Sequence, residues 1–130
     1  MDFLQWFKTK DLVSAWVFNE FNYPILFTDD RLKLVFYNKL SEKFFNIKTK
    51  KVLGKSIFEV IPELSDKSIY YSKVLSGERV VLDEGYSEIR IFPLNVEGKT
   101  IGTVTQIIDR TEEVVFQSLF NLIKGFNKKN

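Results

Sequence analysis

The sequence predicts an α+β domain: a five-stranded antiparallel sheet with helices on one face, and a flanking helix at each end. Three observations carry that reading. Segments of alternating, β-branched character fall into two groups, a pair early in the chain and three in succession late. Between the groups lie segments of helical spacing, bounded by capping residues and glycine. The stretch Arg90–Glu113 reads as strand, turn, strand and helix start without interruption.

The elements follow in order. Asp2–Phe21 reads as helix, with a break expected near Thr9-Lys10-Asp11; Asp2 with Gln5 forms a capping-box pattern and Asp11 can cap a second segment. Phe3, Trp6, Phe7, Val13, Val17 and Phe21 share helical spacing, to pack on the same domain or on a twin subunit. Pro24 stops that helix. Ile25–Thr28 and Leu34–Tyr37 are strands around an Asp29-Asp30-Arg31 turn, and Asn38 caps a helix over Lys39–Phe45. Lys39, Lys43, Lys48, Lys50, Lys51 and Lys55 form a solvated face or, on a minority reading, a surface for an acidic partner.

Gly54 marks a bend, Ser56 caps a short helix and Pro62 ends it, with Phe58 and Ile61 on one face. Ser65 or Asp66 starts a longer helix through Val74-Leu75, its faces marked by Ile69, Tyr70, Lys73 and Val74, and Gly77 stops it. Arg79–Leu82 is the third strand, followed by an Asp83-Glu84-Gly85 turn. Glu88–Leu94 and Thr100–Ile108 are joined by an Asn95–Lys99 turn in which Gly98 supplies positive φ. Asp109 with Glu112 then starts the last helix, and Lys128-Lys129-Asn130 frays. A strand that continues directly into a helix gives strain in the sheet a covalent route out, which fits a sensor better than an enzyme.

Composition narrows the chemistry. In 130 residues there is no Cys and no His, and Met1 is the only methionine. Disulfides, thiolate nucleophiles, imidazole bases and the usual haem ligands are therefore absent. The remaining acid–base candidates, Tyr37 and the Asp83-Glu84 pair, sit at expected surface or turn positions, so no catalytic residues are assigned. A net charge of +2 is too small to argue for nucleic acid. No apolar run reaches the ~18 residues of a membrane span, and no secretory signal is evident, so the expected location is cytoplasmic.

From Pro24 to Glu112 the residues resemble a PAS domain. Asp29 with Leu34–Asn38 resembles the family's first hairpin. Leu53–Pro62 resembles its "Gly-Lys…Pro" helix, and Val74 with Gly77 the helix before the third strand. Pro93-Leu94, Gly98, Gly102 and Asp109–Glu112 resemble its ending, often Asp-Ile-Thr. Leu32 departs from the Gly common in that first hairpin, which suggests a different turn. The divisions implied are 1–22 as a flanking helix, 23–112 as the PAS domain, and 113–130 as an exit helix and tail.

The resemblance implies a sensory or dimerising module of a histidine kinase, cyclase or transcription regulator, possessing no enzymatic activity of its own. It places Ser87, Ile89, Ile91, Thr103, Thr105 and Ile107 on a cavity side, closed by Phe27, Phe45, Phe58 and Ile61. The cavity is either filled by its own side chains or open to a small organic or apolar ligand. No cofactor is expected: Ile57 stands where light-sensing relatives place a reactive Cys, Ile107 where they place a flavin-reading Gln, and haem would want a His. The opposite face, with Phe92, Val104 and Ile108, is too apolar to stay bare, and the N-terminal helix is expected to cover it. Asp109, Thr111 and Glu112 are the expected relay corner. In the exit helix Val115, Leu119, Leu122 and Phe126 step by 4, 3 and 4, a short coiled-coil seam for a homodimer, with Phe116, Phe120 and Ile123 beside it. Packing back on the sheet is the bland alternative for that stripe, and a pure dimerising scaffold or a small α+β enzyme are the alternatives for function. The partners implied are a second copy and a linked or separate output domain, with no nucleic acid and no membrane span.

Overall fold

The computed structural model describes residues 22–128. The expectations for the N-terminal helix, including its cover over the sheet, lie outside the described residues. The five strands are β1 (Ile25–Asp29), β2 (Leu34–Tyr37), β3 (Val80–Asp83), β4 (Ser87–Val96) and β5 (Lys99–Asp109). They form one antiparallel sheet in the order β2-β1-β5-β4-β3. Between β2 and β3 come α1 (Lys39–Phe44), α2 (Ile57–Val60) and α3 (Ser68–Leu75), with 3-10 turns at Lys50–Val52 and Pro62–Lys67. The long helix α4 (Thr111–Lys128) follows β5.

Local chemistry explains the element ends. Asn38 caps α1 by accepting from the Ser41 amide, and Ser56 caps α2 by accepting from Phe58. Pro62 opens a 3-10 helix, where its missing N–H costs nothing, so α3 begins at Ser68 rather than at Ser65 or Asp66. The β4–β5 turn is tighter than the sequence suggests. Only Glu97 and Gly98 separate the strands, both at positive φ (53° and 77°), the geometry that matches strand twist in a two-residue hairpin.

The first hairpin turns without glycine: Leu32, which stands where the resemblance expects Gly, takes φ 62°. Asp29 Oδ1 accepts from the amides of Arg31 and Lys33, and the Leu32 carbonyl accepts from the Ile57 amide. These bonds hold a conformation that costs a branched residue about 1–2 kcal/mol.

The sheet has two apolar faces. On the inner face Leu26, Leu34, Ile89, Ile91 and Ile107 pack with Ile57, Ile61, Leu64, Tyr71 and Val74 of the helical layer. On the outer face Ile25, Phe27 and Ile101 pack with Val35, Phe36, Leu94, Val96 and Val104. Ile101 belongs there because of a bulge: Leu94 faces Gly102 and Asn95 faces Thr100, leaving Ile101 as an extra residue in β5. Phe92, half-buried on this face, carries the Arg79 guanidinium 4.9 Å above its ring.

Candidate functional site

The inner face is built from β1, β4 and β5. Register puts Ile89 opposite Ile107, Ile91 opposite Thr105, Leu26 opposite Thr105 and Thr28 opposite Thr103. Ser87, Ile89, Ile91, Thr103, Thr105 and Ile107 therefore share one face, with Ser87 half-buried at its end opposite Asp109. Phe45, Phe58 and Ile61 pack against the same face.

Phe27 does not. It pairs with Val104 and Phe36, its ring 5.4 Å from that of Phe36, and so lies on the outer face. The physical reason is the pleat. Adjacent residues of a strand point oppositely, and it is Leu26 and Thr28 that face inward.

The buried polar side chains of this face are satisfied within the protein. Thr103 Oγ1 lies 2.6 Å from Thr28 Oγ1, and Thr105 Oγ1 lies 2.7 Å from the Tyr71 phenol. Leu26, Thr28, Tyr71, Val74, Ile91, Thr103 and Thr105 have 0% exposure. None of these seven residues borders a space that water could enter. Burial holds the Tyr71 phenol well above the ordinary tyrosine pKa, with the Thr105 bond acting in the other direction. Tyr71 and Thr28 were not legible as site residues. The one usable signal was the i, i+3 pairing of Tyr71 with Val74 on the helix before Gly77.

The exit corner joins β5 to α4. Asp109 Oδ1 accepts from both the amide (2.9 Å) and the hydroxyl of Thr111. These bonds, the hydroxyl's first, hold the Asp109 carboxyl below its usual range. Helix α4 starts one residue later than a box capped by Asp109 requires: the Arg110 carbonyl accepts from Val114, which makes Arg110 the cap position. The acid paired at this corner is accordingly Glu113, 3.8 Å from Arg110, and not Glu112. Arg110 also donates its amide to the Tyr86 carbonyl and sits 3.5 Å from Asp83, tying the root of α4 to the β3–β4 turn. Lys67 reaches the same turn through Glu84 at 2.8 Å.

Beyond the corner, Val115, Leu119 and Leu122 are 48%, 55% and 70% exposed, so the stripe does not pack back on the sheet. The side chain of Phe126 lies outside the described residues. Phe116 and Phe120 stack along the neighbouring seam, with Lys124 over the Phe120 ring. Among the described residues no acidic cluster is arranged to hold a metal ion, and no helix is long and apolar enough to cross a membrane.

Tyr37 and the Asp83-Glu84 pair are far apart in this arrangement, at opposite edges of the sheet. Burial, and then Glu42, raise the Tyr37 pKa above its ordinary value.

No curated protein matches the chain. The family model described as the PAS fold matches residues 18–115. The chain belongs to the PAS family. Among solved structures, the PAS domain of the histidine kinase ThkA is similar at 23% identity and TM-score 0.58, over 67% of this chain and 99% of that one. A sensory box sensor histidine kinase from Vibrio cholerae is similar at 14% identity and TM-score 0.58, over 81% and 94%. Phage VqmA, solved as a complex with DPO, is similar at 16% identity and TM-score 0.66, over 88% of this chain and 60% of that one. These neighbours share the PAS fold, and as a PAS domain this chain is a signalling module.

Proposed function

We propose that this PAS domain is a homodimerising relay with a packed core, whose output leaves through α4 to a linked or separate signalling domain in the cytoplasm. The observation that carries the reading is the exposed Val115, Leu119 and Leu122 seam on a helix continuous with the central strand β5. Each such side chain contributes about 1.5–3 kcal/mol when fully buried, which a parallel helix pair achieves. The zero exposure of Ile91, Thr103 and Thr105 and the internal pairing of the two threonines favour a core filled by its own side chains over one holding a ligand or cofactor.

Sedimentation velocity over a concentration series tests the dimer. The wild-type chain should sediment as a dimer, and a Leu119→Glu, Leu122→Glu chain as a folded monomer. A wild-type chain monomeric at the highest concentrations sinks the reading. Denaturing extraction followed by mass spectrometry tests the core; a stoichiometric small molecule would show that it is not self-filled.

A further inference from the structure

A recess of about 340 Å³ opens where the segment before β1, helix α1 and the end of β5 meet. Its volume lies in the range of small-molecule sites. Pro24, Leu40, Phe44 and Ile107 form its walls, and Phe44 keeps 56% of its surface exposed there. The Phe44 ring meets Phe45 edge-on at 4.9 Å but belongs to neither the inner nor the outer core cluster.

Two opposite charges, Lys43 and Asp109, line the same recess. They are not ion-paired with each other, and Lys43 forms no ion pair among the described residues. Asp109 spends Oδ1 on both Thr111 bonds, which leaves Oδ2 as an acceptor. The two charges restrict what the recess can take. An anion gains from Lys43 but meets the Asp109 carboxylate, and a cation meets the reverse. A neutral apolar molecule gains from neither and draws both charges out of water. A molecule with an ammonium, a carboxylate and an apolar body satisfies all three features together.

We infer that this recess is a binding site for a zwitterion with an apolar body, the chemistry of an apolar α-amino acid. Its ammonium pairs with Asp109, its carboxylate with Lys43, and its side chain lies against Leu40, Phe44 and Ile107. The site borders the first turn of α4. If the module relays through that helix, as proposed above, the ligand acts on the relay from the surface and needs no cavity in the core. Binding itself does not depend on the relay.

The test uses the full ¹⁵N-labelled chain, titrated with L-phenylalanine and L-leucine in turn and read by amide chemical shifts at Leu40, Phe44 and Ile107. The singly charged comparators are 2-phenylethylamine and 3-phenylpropanoate. At least one amino acid should bind saturably at these residues. The comparators should bind about threefold to fivefold more weakly than L-phenylalanine, the effect of one partly screened charge pair. Lys43→Gln should reduce the affinity for L-phenylalanine to that of the amine, and Asp109→Asn, which can still accept from Thr111, to that of the acid. Three results overturn the assignment: no saturable shifts at these residues up to the solubility limit of both amino acids, a singly charged comparator binding as tightly as L-phenylalanine, or both variants binding like wild type. None of these readouts involves oligomeric state, so failure here leaves the dimer test standing, and the reverse holds too.

Discussion

Tyr71→Phe removes one oxygen from the centre of the core and leaves its shape nearly unchanged. That oxygen lies 2.7 Å from Thr105 Oγ1, and both residues have 0% exposure. Losing a net hydrogen bond costs about 1 kcal/mol, and stranding the buried Thr105 hydroxyl raises the cost to about 1–3 kcal/mol. With an m-value of about 1 kcal/mol/M for a domain of this size, the urea midpoint should fall by roughly 1–3 M at unchanged slope. Thr105→Val should cost a similar amount by stranding the phenol. The double variant replaces both partners by apolar groups, so its loss should fall short of the sum of the singles by about 1 kcal/mol or more. Strict additivity in the cycle would mean that the two groups do not bond in solution, and the picture of a self-satisfied core would fail with it.

The same residue gives a pH signature. The ordinary tyrosine pKa is 10.0, and burial raises it in the folded state. Below that value both states keep the proton and Tyr71 adds no pH dependence. Above it the unfolded chain ionises while the folded chain does not, so wild-type stability falls by up to about 1.4 kcal/mol per pH unit. The Tyr71→Phe variant lacks this term, so its deficit should shrink between about pH 10 and about pH 11. A deficit constant across that window would contradict the burial.

Phe58→Ala should cost about 2–3 kcal/mol in denaturant titration, less than the ~3–5 of a fully buried ring, because Phe58 is half-buried and meets Tyr71 edge-on at 5.6 Å; a loss well under 1 kcal/mol would mean that it does not pack on the core. Asp109→Ala removes both Thr111 bonds and should change the distance between subunits measured by spin labels at an introduced Gln117→Cys; an unchanged distance would show that this corner does not set the angle of α4. Purified protein should show no flavin or Soret absorption, and either band surviving gel filtration would overturn the self-filled core.

Much of the fold was legible because its signals are local. Ser56, Gly77 and the positive-φ Gly98 each act through their own neighbours, and the alternation in β4 and β5 identifies two faces without reference to anything else. Which face of β1 turns inward is not local. It depends on pairing with β5, and a slip of one residue exchanges Phe27 for Leu26 and Thr28. The exit corner failed by the same margin. Starting α4 at Thr111 moves the acid within reach from Glu112 to Glu113 and brings Arg110 into the role. Tyr71 was hidden because its helix is short and carries Tyr70 and Ile69 beside it. Only the sheet decides which of the three is buried, and Ile69 ends up 60% exposed.

The extra residue at Ile101 divides β5 into two parts with different tolerance for change in length. Toward the Glu97-Gly98 tip, the inside–outside phase has already been reset, and the ladder beyond it holds only the pairs of Asn95 with Thr100 and Val96 with Lys99. A peptide tag or reporter domain inserted between Glu97 and Gly98 therefore disturbs two pairs and no buried side chain of the inner face. On the other side of the bulge, a single added residue would turn Thr103, Thr105 and Ile107 outward and carry Asp109 one step past Ser87. The tip is the graft site this domain offers, and the run from Gly102 to Asp109 is where its length is fixed.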